Sequence, residues 1–416
     1  MSDISRRNLL KMAGSVAITS QIKGTGAVII RWDFEGGNLG KADLIGTDHY
    51  RCHVKGQVDQ DGRNRQANWY FFRVDNARDH VLTFDLVDLA GEYNYQPNRG
   101  AITKDTLPFY SGDGIIWQPV EEAAYDASEP KLQFTIKAPT DHLWVAHVPA
   151  YTSVNFAELL RDILMTPYVH SATIGKSVEG RDIPVVTITD SSVPDNAKKV
   201  IWLMFRQHAW EAGSSWTGDG LMRFATSSNP AAVLARRETI LKILPLCDPD
   251  GVAHGGVRFN LYGYDLNRNW DVVDPVKMPE ITAERRAILD WVDSGKRIDF
   301  FLTLHNDESN EYIEGPPDKS ESLRPLLDTV FECWSAGATF AASKPPTFDD
   351  SSTTVGKPGR MNVVQGIYQD RKIPAFEVEM RIERHPKLHR RPNVDDRKRA
   401  GEELLQAICK GLGISD

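Results

Sequence analysis

The feature that most constrains this fold is a change of hydrophobic period near residue 150. From Gly24 to about Ala150, short apolar runs alternate with polar residues and are broken by Gly, Asn, Asp and Pro, as in Trp69–Val74, Val81–Leu86 and Leu132–Ile136. A period of two over so few residues marks half-buried strands. Their spacing of roughly ten residues, with almost no helical periodicity, favours an antiparallel sandwich over a parallel sheet. The aromatic residues Trp32, Trp69, Tyr70, Phe71, Phe72, Trp117 and Trp144 are read as the core of that sandwich rather than as a carbohydrate platform. After Val145–Thr152 the pattern changes. Helices are expected over Asn155–Leu164, Trp216–Ala225, Glu280–Val292 and Ser322–Ala338, and strands over Pro184–Ile188, Val200–Phe205, Ile240–Leu246, Phe300–Leu304 and Ala375–Met380. Strands alternating with helices imply an α/β layer architecture. Three segments follow: residues 1–23 as a tail or export signal, 24–150 as a β-sandwich, and 151–416 as an α/β domain.

A chain of 416 residues suits two domains. Its net charge of -8 argues against nucleic acid as a partner, since phosphate binding draws on surplus Lys and Arg. The four cysteines, Cys52, Cys247, Cys333 and Cys409, lack CxxC spacing, so neither a disulfide scaffold nor a thiolate metal site is indicated. No apolar stretch reaches the ~18 to 20 residues of a membrane span. At the N-terminus, Ser5–Lys11 followed by the weakly apolar Met12–Thr19 resembles a twin-arginine export signal, which would direct the chain to the periplasm. The apolar part is short and no clear cleavage site precedes Lys23, so a basic tail on a cytoplasmic protein is the alternative.

The chemistry concentrates where strands end. Directly after Val200–Phe205 comes Arg206-Gln207-His208-Ala209-Trp210-Glu211, an imidazole and a carboxylate three residues apart. The carboxyl ends of strands are where open α/β sheets bind ligands. Zinc accepts both donor types and a catalytic site needs a third protein ligand. His305, which follows Phe300–Leu304, is the candidate. Between these lie Cys247-Asp248-Pro249-Asp250-Gly251-Val252, then Arg258, then Asp265-Leu266-Asn267-Arg268. Arginine pairs bidentately with carboxylates and asparagine adds directed donors, a combination suited to the free C-terminus of a peptide. The bland alternative is that Asp250, Asp265 and Arg268 pair with one another within a long loop.

Taken together, these motifs resemble the zinc carboxypeptidase family of the carboxypeptidase A type. The order Pro249–Val252, Arg258, Asp265–Arg268 looks like the cytosolic carboxypeptidase branch, which also carries an N-terminal β-sandwich. Ile174–Arg181 is similar to that family's Gly-x-Ser-x-Glu-Gly-Arg hairpin. The resemblance implies a mixed, mostly parallel sheet flanked by helices in residues 151–416. It also implies one Zn²⁺ on His208, Glu211 and His305, with Arg258 stabilising the oxyanion and Asn267 and Arg268 holding the terminal carboxylate of a peptide or protein. The family's general base comes from a late strand, here Ala375–Arg381. Period-two alternation puts Glu377 and Glu379 on the same face, so geometry leaves both open, and the resemblance favours Glu379. The capping tyrosine is less defined; Tyr368 is the nearer candidate and Tyr312 another. The basic run Arg381–Arg399 could attract acidic peptide tails, although a solvated loop and helix start explain it as well.

Two other functions remain open on these residues. A zinc amidohydrolase acting on small N-acyl amino acids would use the same ligands and arginine. A non-catalytic binding module would lack a ligand or the base, and neither is missing.

Overall fold

A computed structural model of the chain describes residues 2–3, 26–98, 100–318, 321–349 and 357–414. The segment Ser5–Thr19, read as an export signal, lies outside the described residues.

Alternating strands of the N-terminal part pair into two five-stranded sheets. One has the order Gln118–Pro119, Phe109–Ser111, His142–Ala146, Phe71–Asp75, Ile29–Arg31; the other runs Ala124–Asp126, Lys131–Lys137, Val81–Val87, His49–His53, Lys41–Gly46. Pairing is antiparallel with one exception. His49–His53 lies parallel to Val81–Val87 because the chain between them crosses to the other sheet, forming Phe71–Asp75, before returning.

The aromatic residues do not form one core. Tyr70, Phe72, Val74, Leu143 and Val145 face the sandwich interior, while Trp69, Phe71, Phe109, Trp117 and Ala146 join a cluster that continues into the second half of the chain. Both faces of that sheet are therefore buried, one against its partner sheet and one against the α/β layers. The period of two assigns alternate side chains to opposite faces.

In the α/β part we label the strands β1 (Val169–Lys176), β2 (Asp182–Ile188), β3 (Lys199–Phe205), β4 (Thr239–Leu244), β5 (Phe300–Asp307), β6 (Tyr312–Gly315) and β7 (Ala375–Arg381). The helices are α1 (Ser153–Ile163), α2 (Ala212–Thr226), α3 (Pro230–Glu238), α4 (Pro249–Ala253), α5 (Pro279–Asp293), α6 (Arg324–Ser335), α7 (Val363–Arg371) and α8 (Val394–Gly411). The spatial order of the labelled strands is β1-β2-β4-β3-β5-β7-β6. The sheet is mixed, with its four central strands β4, β3, β5 and β7 parallel. Helices cover both faces: on β3, Ile201, Leu203 and Phe205 point into the cluster containing α2 and α8, and Val200, Trp202 and Met204 into the cluster containing α5 and α7. Burial on both sides explains why β3 reads as a continuous apolar run.

Two expectations need adjusting. The strand holding His305 runs on through Asp307 rather than stopping at Leu304. The basic run after Arg381 is not simply solvated. His385, Arg391 and Arg397 are buried, and the two arginines donate to the carbonyls of Ile382, His147 and Arg381. All four cysteines are free thiols.

Helices α2 and α8 touch backbone to backbone. A Cβ on Gly401 would lie 2.0 Å from the Thr217 carbonyl oxygen, and one on Gly220 would lie 2.1 Å from that of Lys398. Neither atom can yield without moving a helix. Gly401→Ala is therefore expected to destabilise the protein by about 1–3 kcal/mol in urea unfolding, in place of the ~1 kcal/mol gain alanine gives in an open helix.

Candidate active site

β3 ends at Phe205, level with Leu304 of β5, while β5 and β7 run on together past His305 and Glu379, which pair, to Asp307 and Arg381. The chain leaves β3 through Arg206 at φ +63°, a left-handed conformation that a long side chain adopts only under constraint. The constraint is visible. The buried guanidinium donates to the Ala209 carbonyl at 2.8 Å and to Ser215 Oγ at 3.1 Å, while the Arg206 backbone N–H donates to Ser214 Oγ at 3.2 Å. This turn brings His208 and Glu211 back over the strand ends. Glu211 is the N-cap residue of α2 without capping it through its side chain; the Ser214 N–H donates instead to Asn306 Oδ1 at 3.0 Å. The Glu211 carboxylate is thereby left for another use.

That use is a three-donor centre. His208 Nδ1 lies 2.6 Å from Glu211 Oε1, and His305 Nδ1 lies 2.9 Å from Glu211 Oε2. The ligand atoms of the three residues fall within 4.8 Å of one another, and among the described residues no other trio of His, Cys, Asp or Glu does so. Each imidazole is held from behind. His208 Nε2 meets Asp265 Oδ1 at 3.0 Å, and His305 Nε2 faces Thr303 Oγ1 at 3.0 Å and Gln207 Oε1 at 3.1 Å. Fixing one ring nitrogen orients the other, and two imidazoles with one carboxylate are a donor set that zinc accepts. The residues fit the metal.

The electrostatics agree. Burial raises the Glu211 carboxyl, but the two imidazoles outweigh it and hold the group down at about 2. Burial and Arg258 push the His208 imidazole down, yet Glu211 and Asp265 leave it above its ordinary value. These carboxylates thus make the surroundings of this imidazole favour positive charge.

Asp265 is the residue to which sequence reasoning gave no role of its own. The bland alternative paired it with Asp250 and Arg268 within the loop; it instead joins three parts of the site. Its Oδ1 accepts from His208 and from the Asn267 backbone N–H at 2.9 Å, and its Oδ2 accepts from Arg258 Nε at 2.8 Å. Burial opposes its ionisation, and Arg258 and His208 overcome it, keeping the carboxyl well below the usual range. The sequence signal was its position two residues before Asn267, which only a folded loop turns toward His208. Asp250, the other acid of that alternative, belongs elsewhere: it accepts from Ser177 Oγ at 2.7 Å, the Glu179 backbone at 2.9 Å and Arg181 at 2.6 Å. The Ile174–Arg181 hairpin thus pins the loop that starts at Asp248.

Glu377 and Glu379 do share a face, but in different company. Glu377 Oε2 accepts from Asn267 Nδ2 at 3.0 Å and from Asn362 Nδ2 at 3.3 Å. Glu379 sits beside His305 in register, and its Oε2 is buried with no hydrogen-bond partner. Burial, reinforced by Glu211, Glu377 and Asp307, pushes the Glu379 carboxyl well above its ordinary value. The Asn267 amide is fully engaged, with its oxygen accepting from Val363 N at 3.1 Å and its nitrogen also 3.3 Å from His305 Nε2. Arg268 is half-buried and donates to the Asn267 carbonyl at 2.6 Å. Tyr312 pairs with Glu379 across β6 and β7. Tyr368 bonds Asp318, and the Lys372 ammonium lies 4.4 Å from its ring centroid.

With this geometry in view, the comparisons with known proteins are specific. Residues 164–347 match the family described as "Zinc carboxypeptidase" and residues 30–148 the "Cytosolic carboxypeptidase N-terminal domain". The chain carries a zinc carboxypeptidase domain and a cytosolic carboxypeptidase N-terminal domain. Human cytosolic carboxypeptidase 2 is 29% identical over 68% of the chain, and human cytosolic carboxypeptidase 6 is 26% identical over 65%. The matched part spans 33% and 56% of those two relatives. Among solved structures, a metallo-carboxypeptidase from Burkholderia cenocepacia superposes with a TM-score of 0.78 at 20% identity, covering 93% of this chain and 99% of its own. A metallo-carboxypeptidase from Pseudomonas aeruginosa in complex with (2-guanidinoethylmercapto)succinic acid gives 0.76 at 22%, covering 92% and 99%. These structures establish the shared two-part fold. The family and sequence matches favour a carboxypeptidase over a deacylase.

Behind the three-donor centre the chain buries further acids. Burial and Glu280 raise Asp248 to about 8, and burial raises Glu284, whose two oxygens lack partners, well above its ordinary value. A carboxyl raised in the folded state contributes stability that is complete below its unfolded pKa of 3.8 and is lost as pH climbs through about 8. Asp248→Asn cannot ionise, so its melting temperature relative to wild type should rise between about pH 5 and about pH 9.

Metal titrations check the centre itself. His305→Ala is expected to lose stoichiometric zinc on dialysis. Asp265→Asn should keep the ion but bind it roughly 10- to 100-fold more weakly in chelator competition.

Proposed function

We propose that this chain is a zinc-dependent metallocarboxypeptidase that hydrolyses the last peptide bond of peptides or protein tails. The observation that carries the reading is Glu379, a buried carboxyl with an unpartnered oxygen in register beside a three-donor metal centre. Zinc held by His208, Glu211 and His305 supplies Lewis acidity, which makes water a nucleophile at neutral pH. Glu379 takes the proton from that water as the C–O bond forms, and returns it to the nitrogen as the C–N bond breaks. Glu377 is the poorer candidate because two asparagine amides already occupy its oxygen.

Arg258 presents its Nε to Asp265, which leaves its terminal nitrogens for the oxyanion of the tetrahedral intermediate. Arg268 and Asn267 hold the substrate's terminal carboxylate, for which Asn267 must exchange its bond to Glu377. That capture confines cleavage to the chain end. Of the two tyrosines considered as a cap, Tyr312 is in register with Glu379, and Tyr368 would have to leave Asp318 to reach it. We assign residues 24–150 to the sandwich domain and 151–416 to the catalytic domain. No helix among the described residues is long and apolar enough to cross a membrane. The cytosolic carboxypeptidase relatives favour a cytoplasmic location over export through Ser5–Lys11.

The test is mass spectrometry of a peptide library with varied C-terminal residues, incubated with zinc-loaded protein. Loss of single terminal residues is expected, and its absence with zinc bound would overturn the reading in favour of an amidohydrolase tested on N-acyl amino acids. Glu379→Gln should cut turnover by about 10²-fold or more with zinc retained, while Glu377→Gln costs much less. The reverse ranking would make Glu377 the base.

A further inference from the structure

The loop carrying Arg258 is held by a residue from the other half of the protein. Gln57 lies in the short strand Gln57–Val58 of a small antiparallel sheet at the edge of the sandwich. Its side-chain oxygen accepts from three consecutive backbone N–H groups: Val257 at 3.0 Å, Arg258 at 2.7 Å and Phe259 at 2.8 Å. Its side-chain nitrogen donates to the Phe259 carbonyl at 2.6 Å. Successive N–H groups converging on one point form a concavity that ordinarily binds an anion. Here a neutral amide fills it, bringing no charge to compete with Asp265 for the Arg258 guanidinium.

Other bonds across the same seam show that the approach is built in. Asn38 Nδ2 donates to the Gly255 carbonyl at 2.6 Å, Gly36 N to Ala253 O at 3.0 Å, and Gln60 N to Gly263 O at 3.1 Å. A Cβ on Gly255 would lie 2.4 Å from the Gly37 carbonyl oxygen, and one on Gly263 would lie 2.5 Å from Gln60 N. Both glycines also have positive φ, +62° and +84°, so only glycine allows the two backbones this close. From the opposite side Trp210 N donates to Val257 O at 2.9 Å, tying the segment to the residue before Glu211.

We propose that Gln57 is a positioning residue for the reaction: by clamping the backbone of Val257–Phe259 it sets the Arg258 guanidinium against Asp265 and the metal centre. The sandwich is thereby part of the catalytic apparatus rather than a passive neighbour. This rests on the carboxypeptidase reading of Arg258, while the clamp itself does not.

Two measurements separate those levels. In hydrogen–deuterium exchange of the full chain, Gln57→Ala should accelerate exchange in the peptide spanning residues 255–263, and Gln57→Glu, which keeps the acceptor, should restore much of the protection. Unchanged exchange overturns the clamp, whatever the enzyme does. The second measurement is a double-mutant cycle on kcat with zinc occupancy verified. Gln57→Ala should lower kcat about tenfold, a fraction of the ~10²-fold that a 1 Å misplacement can cost. Arg258→Ala should then cost clearly less in that background than in wild type. Asn38→Ala breaks the same seam without touching the three amides, so its effect should add to that of Arg258→Ala. Additivity for Gln57 would reduce it to a structural contact and overturn the positioning role. A wild-type protein that cleaves no peptide removes the catalytic half together with the carboxypeptidase reading, and exchange still decides the clamp.

Discussion

The whole site depends on two parallel strands, β5 and β7, running on together past the end of a third, β3. β3, β5 and β7 are hydrogen-bonded neighbours in register, and adjacent strands stand ~4.8 Å apart. That spacing sets His305 beside Glu379 without any loop having to carry them. It also makes the end of β3 the place where a turn must deliver the remaining donors. The strained Arg206, held by its own buried hydrogen bonds, is the local cost of that delivery. Parallel pairing needs long crossovers, and these supply the helices that bury both faces of the sheet and the loops that surround the metal centre.

Around this frame the polar groups work as a linked set. Asp265 holds His208, Arg258 and the Asn267 backbone; Asn267 in turn touches His305 and Glu377; Asn306 caps α2 and, through its side-chain nitrogen, bonds the Met380 carbonyl at 3.1 Å. Buried networks of this kind are rigid when every member is satisfied. Glu379, in register beside His305, is the neighbour left with an unpartnered oxygen. An unsatisfied buried carboxyl is unfavourable for stability, and its place beside the donors is what the proposed role as base rests on.

Much of this was legible beforehand because it depends on local pattern. The change of period at about residue 150, the continuous apolar run of β3, and His208 and Glu211 directly after it all follow from spacing and strand geometry. Less legible was whatever depends on the opposite face or on a partner distant in sequence. Phe71 and Trp69 read as sandwich core, yet they pack against the α/β layers, because alternation tells that two faces exist and not what covers each. Asp265 drew no role of its own because nothing local shows that its loop folds back over His208.

By itself, the sequence determined the two architectures and the candidate donors His208, Glu211 and His305, since hydrophobic period and donor type are properties of neighbouring residues. Only the tertiary structure gave Glu377 and Glu379 different surroundings. Both lie on one face of one strand, and the difference is that asparagines from two other segments occupy the first. It alone also decided that Gln57 belongs with Arg258. About 200 residues separate them, and hydrogen bonds between residues so far apart exist only once the two halves of the chain have packed together.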